Sequence, residues 1–456
     1  MFEISTAALM SLVALCVVII ISCIDEELNP GFLSIFFAII VGAGFGGMTG
    51  AAILNGWPVQ LFMILIAVTF MFAMAQQNGT MTKFTAYAVR LAKGNTILIP
   101  LIIFLLVSFI TTIGPGNIAS TALMAPVAMA IATRIGLPAF LMTLVVVGAA
   151  NGAAFSPFAP TGVISMQLVA KMAGAIGITQ DVTMLEWKIH LNSEVVQTVV
   201  NAAGFFALGG MAWVRKQRGE ALDIDEIAPR PEPFTKQQWV TLAAIGALIV
   251  LVMLPGLPGM KGALPKWLAQ MLANVGTVAF LLSGLMMFCR VADVKDSIKR
   301  MPWGVIIMVC GVTVLIEVMD KTGGLNALVK MIGAISNPVT VHFWLGLFTG
   351  VISAYSSSSG VVMPMFLPLV PGLLKELGMM GTPQQVQLAV DMISSINIGA
   401  HLVDSSPLST LGALCIACAG DHEDKAKLFR NLLIWGLSMS VVGAVACYFA
   451  FGWFHL

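Results

Sequence analysis

The sequence is short of charge. Only 10% of its 456 residues are Asp, Glu, Lys or Arg while 58% are hydrophobic, and a mean hydropathy of +0.95 lies outside the range of soluble globular domains. The net charge is +1, so there is no broad basic field to hold nucleic acid, and none is expected as a partner. The five histidines (His190, His342, His401, His422, His455) are scattered, and neither HExxH nor GxSxG occurs. An enzyme is therefore not expected, because no nucleophile, base or metal motif is assembled. Seven cysteines mostly sit inside apolar runs; Cys415 and Cys418 have CxxC spacing, but with no second pair they read as small packing residues rather than redox or metal ligands. No cofactor or transition metal is called for. The stretch 6 to 24 has no basic residues before it and no small-residue cleavage site after it, which predicts a first membrane span rather than a removed signal peptide.

What the chain has in abundance is long apolar runs. With roughly twenty residues per crossing, ordinary spans are predicted near 6 to 24, 31 to 50, 57 to 76, 194 to 213, 238 to 254, 269 to 290, 303 to 319 and 431 to 453. Four other apolar segments are interrupted. Two of them, 96 to 134 and 341 to 375, read as re-entrant hairpins with polar tips at Gly114-Pro115-Gly116-Asn117 and Ser356-Ser357-Ser358-Ser359-Gly360. The other two, 138 to 176 and 384 to 419, read as broken helices, interrupted at Asn151-Gly152 through Pro160-Thr161-Gly162 and at Asn397 through Asp404-Ser405-Ser406-Pro407. Non-helical backbone at membrane depth persists only inside protein or along a wet cavity, so these four breaks are where function is expected.

Arg215, Lys216, Arg218, Arg230 and Lys236 mark the only long hydrophilic stretch, a solvated linker (214–237) placed in the cytoplasm by the positive-inside rule. It divides the chain into 1–213 and 238–456. Each half carries five spans, one hairpin and one broken helix, an all-α polytopic membrane protein of about ten spans plus two hairpins. Both termini then fall in the periplasm of a multi-pass protein in a bacterial inner membrane. The same count puts Lys83, Arg90, Lys93, Arg134, Arg290, Lys295, Lys299, Arg300, Lys425, Lys427 and Arg430 inside; Asp25-Glu26-Glu27 also falls inside, but acidic residues weigh little in that rule.

The halves echo each other. Asn29-Pro30-Gly31 recurs as Asn274-Val275-Gly276, Gly79 as Gly323, residues 116 to 126 as 358 to 368, and Gly152 and Pro160 as Gly399 and Pro407, at offsets of 242 to 247. With five crossings between equivalents, the second copy is inserted upside down, the inverted-repeat plan of secondary transporters. After Gly79 and Gly323, the stretches 81 to 91 and 325 to 332 are too polar or too short to span, and each reads as an interfacial arm leading into its hairpin.

Asn78-Gly79 through Leu98-Ile99-Pro100, Ile113-Gly114-Pro115-Gly116, Met124-Ala125-Pro126-Val127-Ala128-Met129-Ala130 and Ser156-Pro157 to Pro160-Thr161-Gly162 together resemble the N-terminal domain of the bacterial malonate and four-carbon dicarboxylate carrier family, over roughly residues 1 to 165. More loosely, the whole chain resembles the divalent-anion:sodium symporters, whose hairpin tips carry Ser-Asn-Thr. The matching positions here are Gly116-Asn117-Ile118 and Ser358-Ser359-Gly360, which keep one motif residue each. The resemblance implies a homodimer with a scaffold and a sliding transport domain, an elevator cycle, and a dicarboxylate such as malonate or a four-carbon acid as substrate.

A small anion at the midplane needs donors, yet the breaks hold no Arg or Lys. Half-helix N-termini carry free N–H groups and about half a positive charge each. Asn117, Ser358, Ser359, Gly360 and the helix starts after Pro160 and Pro407 are therefore expected to bind the substrate, with the hydroxyls of Ser120, Thr121, Thr161, Ser405 and Ser406. Freed carbonyls and amides around Gly114, Asn117, Asn151, Gly152, Ser357 and Asn397 suit a sodium ion, the expected coupling ion. The ionisable pair His401 and Asp404 is a further coupling candidate, with protons as the alternative ion; Asp404 can equally cap the half-helix at Ser405. Asp391, Glu194 and Glu317 read as interfacial helix ends. The other readings are an inorganic-oxyanion antiporter on the same scaffold and a passive anion channel, which would need a continuous polar stripe rather than four clustered breaks.

Overall fold

A computed structural model describes residues 4–25, 28–90, 95–179, 181–217, 230–256, 264–420 and 423–454. Glu26, Glu27, Lys93, Arg218, His422, His455 and most of the linker lie outside the described residues. Among the described residues there are helices and no strand.

The first half runs α1 (Thr6–Ile24), α2 (Pro30–Gly44), α3 (Gly50–Leu54), α4 (Val59–Gln77), α5 (Thr80–Val89), α6 (Leu98–Ile113), α7 (Gly116–Arg134), α8 (Ala139–Gly152), α9 (Pro160–Met172), α10 (Val182–Phe205) and α11 (Met211–Lys216). After the linker come α12 (Lys236–Met253), α13 (Lys266–Ala273), α14 (Val275–Phe288), α15 (Val294–Arg300), α16 (Trp303–Thr322), α17 (Gly324–Ala334), α18 (Val341–Ser353), α19 (Met363–Phe366), α20 (Val370–Glu376), α21 (Gln385–Leu402), α22 (Thr410–Ala417) and α23 (Lys425–Cys447). Nine helices among the described residues are long and apolar enough to cross a membrane, or ten if the pair α13 and α14, bent by 83°, forms one span. The chain is thus a multi-span α-helical membrane protein.

Local chemistry sets the boundaries. The side chains of Asn29 and Asn274 accept N–H bonds at the starts of α2 and α14, and it is at Asn274 that the expected single span 269 to 290 bends instead of running straight. Gly79 (φ 73°) and Gly323 (φ 85°) end α4 and α16 in the left-handed region, where a side chain would be strained, and the short helices α5 and α17 follow. Where the linker ends, Thr235 and Gln238 form a capping box at the start of α12. The Gln238 amide donates to the Asn78 carbonyl (3.0 Å) and Asn78 Nδ2 donates to Thr241 Oγ1 (2.7 Å), tying α12 to the end of α4.

Close crossings at glycine recur among the described helices. A Cβ on Gly31 would run into the backbone of Ile307 and Met308, so α2 and α16 touch main chain to main chain, and Gly311 faces Gly31 from the other side. Gly276 meets Ile64 in the same way, with a Cβ only 2.7 Å from Ile64 Cγ1, where α14 crosses α4. Glycine lets membrane helices approach this closely, gaining dispersion contacts where no hydrophobic force drives association. A second bundle packs α18 against α21 and α23, and α8 against α6, α7 and α10, while α22 of the second half lies against α7 of the first.

One expected span is displaced. The helix predicted at 194 to 213 begins at Val182, because Glu186, His190, Asn192, Ser193, Gln197 and Asn201 all point into protein. Hydropathy reads these polar residues as exposed sequence when they form the inner face of a span. Glu194 and Asp391 accordingly lie mid-helix, not at interfacial ends.

Candidate functional site

Both broken helices stop in the same manner. After α8 a 3-10 turn covers Ala153–Phe155, and after α21 one covers Val403–Ser405. Gly162 and Gly412 then sit where a Cβ would strike the carbonyls of Ser156 and Ser406. The shared frame is S-P-x-x-x-x-G, at 156 to 162 and 406 to 412, an offset of 250. This corrects the expected pairing at the breaks, since Pro157 rather than Pro160 corresponds to Pro407, and Asn151 corresponds to His401. It also corrects two expectations about the second break: the half-helix starts at Thr410, and its cap is Ser409, whose side chain accepts from Leu411 N–H, so Asp404 is not the cap.

At the first hairpin, Gly114 (φ 139°) lies against the Phe72 ring and Gly116 (φ 82°) against Pro160, leaving no room for side chains where the chain reverses. Asn117 opens α7 and its Nδ2 donates to Asn151 Oδ1 (2.9 Å). Asn151 Nδ2 donates to the His401 carbonyl (2.9 Å), and Gln197 Nε2 donates to the Asn151 carbonyl (3.1 Å). Asn151 thus binds the first tip to the break of the second half. At the second tip, Ser357 Oγ accepts from Gly360 N–H (3.0 Å) and caps a π-type turn, Ser358–Val362. Ser353 Oγ lies 2.6 Å from the Ala400 carbonyl oxygen and 2.8 Å from Ser358 Oγ, and Ser358 Oγ lies 2.7 Å from Asp404 Oδ1.

The two tips meet at adjoining cavities. One, of about 660 Å³, is lined by Asn117, the Ser356-Ser357-Ser358-Ser359 run, Asp404, Pro407 and Ser409. The other, of about 250 Å³, is lined by Asn117, Thr161, Gln76, Ser359 and Arg300. Of the residues expected at the site, Asn117, Thr161, Ser357, Ser358, Ser359, Asp404 and Pro407 line this space. Ser120 and Thr121 are fully buried beside it, each hydroxyl without a protein partner. Gly360 packs on Met308 and Ser357. Ser405 and Ser406 are buried in the break, and Gly114, Asn151, Gly152, Asn397 and His401 stand behind the wall rather than in it.

Three features escaped the sequence reading. Arg300, counted only as a positive-inside residue, lines the smaller cavity. Ser353, one turn before the serine run, holds the second tip to α21. Glu186, wholly buried, has Oε2 bonded to Ser165 Oγ (3.1 Å) and Oε1 without a partner, and Ser165 in turn accepts from Asn397 Nδ2 (3.1 Å). A polar residue recurring every three or four positions from Glu186 to Asn201 was the available signal for the last.

Fold and breaks together define a multi-span α-helical membrane protein whose interrupted helices line adjoining cavities. Residues 5–154 match the family described as dicarboxylate carrier protein MatC N-terminus. Over 98% of this chain and 95% of theirs, the structure is similar to that of Neisseria gonorrhoeae MtrF, whose description names a class of antimetabolite efflux pumps (TM-score 0.53, 14% identity). It is also similar to the Alcanivorax borkumensis YdaH transporter, over 93% of this chain and 99% of that one (TM-score 0.56, 15% identity). At these identities the likeness is one of fold. No curated protein sequence matches the chain significantly.

Proposed function

We propose that the chain is a secondary active transporter of a small organic anion, a dicarboxylate such as malonate or a four-carbon acid. Transport is coupled to a cation, sodium or protons, and proceeds by elevator-type alternating access in a homodimer. Two halves, 1–213 and 238–456, act as inverted repeats about the 214–237 linker, with both termini periplasmic in a bacterial inner membrane. The observation that carries this reading is that Asn117 of the first tip and Ser357, Ser358 and Ser359 of the second line one cavity, within the size range of small-molecule sites. The match of residues 5–154 to the dicarboxylate carrier N-terminus supports the substrate class.

The anion lies between helix starts at Gly116 and Thr410 and the capped turn at Ser358, whose N–H groups favour negative charge without a fixed cation. Arg300 at the rim of the smaller cavity adds attraction from one face. Asp404 in the same wall opposes an anion unless a cation or proton accompanies it, which is the physical reason to couple the two. The test is uptake of labelled malonate and succinate into proteoliposomes under separately imposed sodium and proton gradients. Accumulation under one of them supports the reading. No accumulation of either acid by folded protein, in either orientation, removes dicarboxylates and leaves an inorganic oxyanion as the substrate to try.

A further inference from the structure

The serines at the second tip and Asp404 make a short chain of oxygens: the Ala400 carbonyl, Ser353 Oγ, Ser358 Oγ and Asp404 Oδ1, with successive separations of 2.6, 2.8 and 2.7 Å. All three contacts are in the range of O–H···O hydrogen bonds, and each needs a proton between its oxygens. A carbonyl supplies none and a hydroxyl supplies one. The Ala400 end fixes the direction: Ser353 donates to the carbonyl, so it can only accept from Ser358, and Ser358, having donated, can only accept from Asp404. Two hydroxyl protons cannot fill three contacts. The third is filled when Asp404 carries it.

From this geometry we propose that Ser353, Ser358 and Asp404 form a proton-binding site, and that the proton on Asp404 latches the second hairpin tip to α21. Resting on the transport reading above, this names the coupling ion and its seat. When the Asp404 O–H bond breaks, the electron pair stays on the carboxylate and the proton passes to water in the cavity that Asp404 lines. Ser358 then turns its hydroxyl to the carboxylate. Ser353 and Ser358 are left with one proton too few, facing lone pair to lone pair unless Ser353 abandons Ala400. Either way one tether of the tip is lost, so proton release loosens the wall that holds the substrate. All four groups are 6% exposed or less, so bulk water does not readily replace the missing bond.

The surroundings leave the proton count to this chain. Bonds to the Asp404 carboxyl come from Ser358 and from Ser409, and Tyr355 is the other ionisable residue in the lining of that cavity. Besides two buried cysteines, the helices packed against the turn (α8, α18, α21, α22 and α23) carry His342, Asp391, His401, Lys425, Lys427 and Arg430 as ionisable groups. His401 is engaged by the Asn397 carbonyl through Nδ1 (2.9 Å).

The first experiment is infrared spectroscopy of the purified full chain in lipid at neutral pH, read for the carbonyl stretch of a neutral carboxylic acid in wild type and D404N. A band present in wild type and missing in D404N is the expected result; spectra with no such difference overturn the proposal. In S353A the count balances without an extra proton, so the band is expected to weaken at the same pH, and its persistence at full strength also overturns the latch. In proteoliposomes, D404N, whose amide N–H fills the Ser358 contact permanently, is expected to lose at least about tenfold in proton-driven accumulation, roughly 1.4 kcal/mol of coupling. Undiminished proton-driven accumulation in D404N overturns the coupling role. The infrared measurement needs no substrate, so a wrong substrate class and a wrong proton site fail separately.

Discussion

Asn151 is the residue whose removal tests the site most directly. Its side chain accepts from Asn117 and donates to the His401 carbonyl, both at 2.9 Å, and it is 1% exposed. Asn151→Ala leaves a buried amide donor on Asn117 without its partner and strips the His401 carbonyl of one of its two donors, the other being the Val403 N–H. An orphaned buried group costs about 1–3 kcal/mol in soluble proteins, whereas side-chain bonds in membrane proteins average about 0.6 and reach about 1.7 kcal/mol. Two such bonds therefore predict a loss of about 1–3 kcal/mol for N151A. Asn117→Ala breaks one of the two, and the double variant isolates the shared bond. The coupling energy from the four-member cycle is expected at about 0.6–1.7 kcal/mol, measured by reversible unfolding in mixed micelles. Additivity within about 0.3 kcal/mol would mean that the first tip is not anchored through Asn151 and that the bond from Asn117 does not tie the two halves together.

Further expectations concern packing, electrostatics and the unexplained carboxyl. Gly31→Ala drives a methyl into the backbone of Ile307, and Gly246→Ala meets nothing within 4 Å; the first should cost about 1–3 kcal/mol and the second almost nothing, read as thermal unfolding in detergent, and equal midpoints would contradict the close α2–α16 crossing. Arg300→Gln should raise KM for a dianion presented from the Arg300 face by roughly two- to tenfold at low salt, with the difference shrinking as ionic strength rises; an unchanged KM at low salt would take Arg300 out of the entry path. Glu186→Gln should fold while Glu186→Ala should lose about 1–3 kcal/mol through the Ser165 O–H left without its acceptor and the void left behind, and equal stability of the two would mean that the Ser165 bond contributes nothing.

Much of this protein was legible without coordinates. Apolar runs of near-membrane length fix the helical, multi-span class, since lipid offers no partner for unpaired backbone. The four interruptions were visible because Gly114, Pro115, Asn151, Pro157 and the serine run at 356 to 359 are too polar or too helix-breaking for an ordinary span. The start of α10 was misplaced for the opposite reason: a hydropathy window averages all faces of a helix and cannot see that Glu186, His190 and Gln197 turn inward together. Asp404 was visible as an ionisable residue at a break, but not that Ser409 rather than Asp404 caps α22, because capping depends on where the chain re-enters helix, a matter of one turn.

By itself, then, the sequence determined where the backbone must leave the regular helix, for that is a property of local residue chemistry and of the bilayer as solvent. Only the tertiary structure decided which breaks meet. Asn117 finds Asn151, and Asn151 finds His401, some 250 positions further on; Ser353 and Ser358 close on Ala400 and Asp404 across the hairpin. Those partnerships depend on how helices cross, at contacts such as Gly31 on Ile307, and a crossing is set by the shapes of two distant surfaces at once, which no local pattern in the chain encodes.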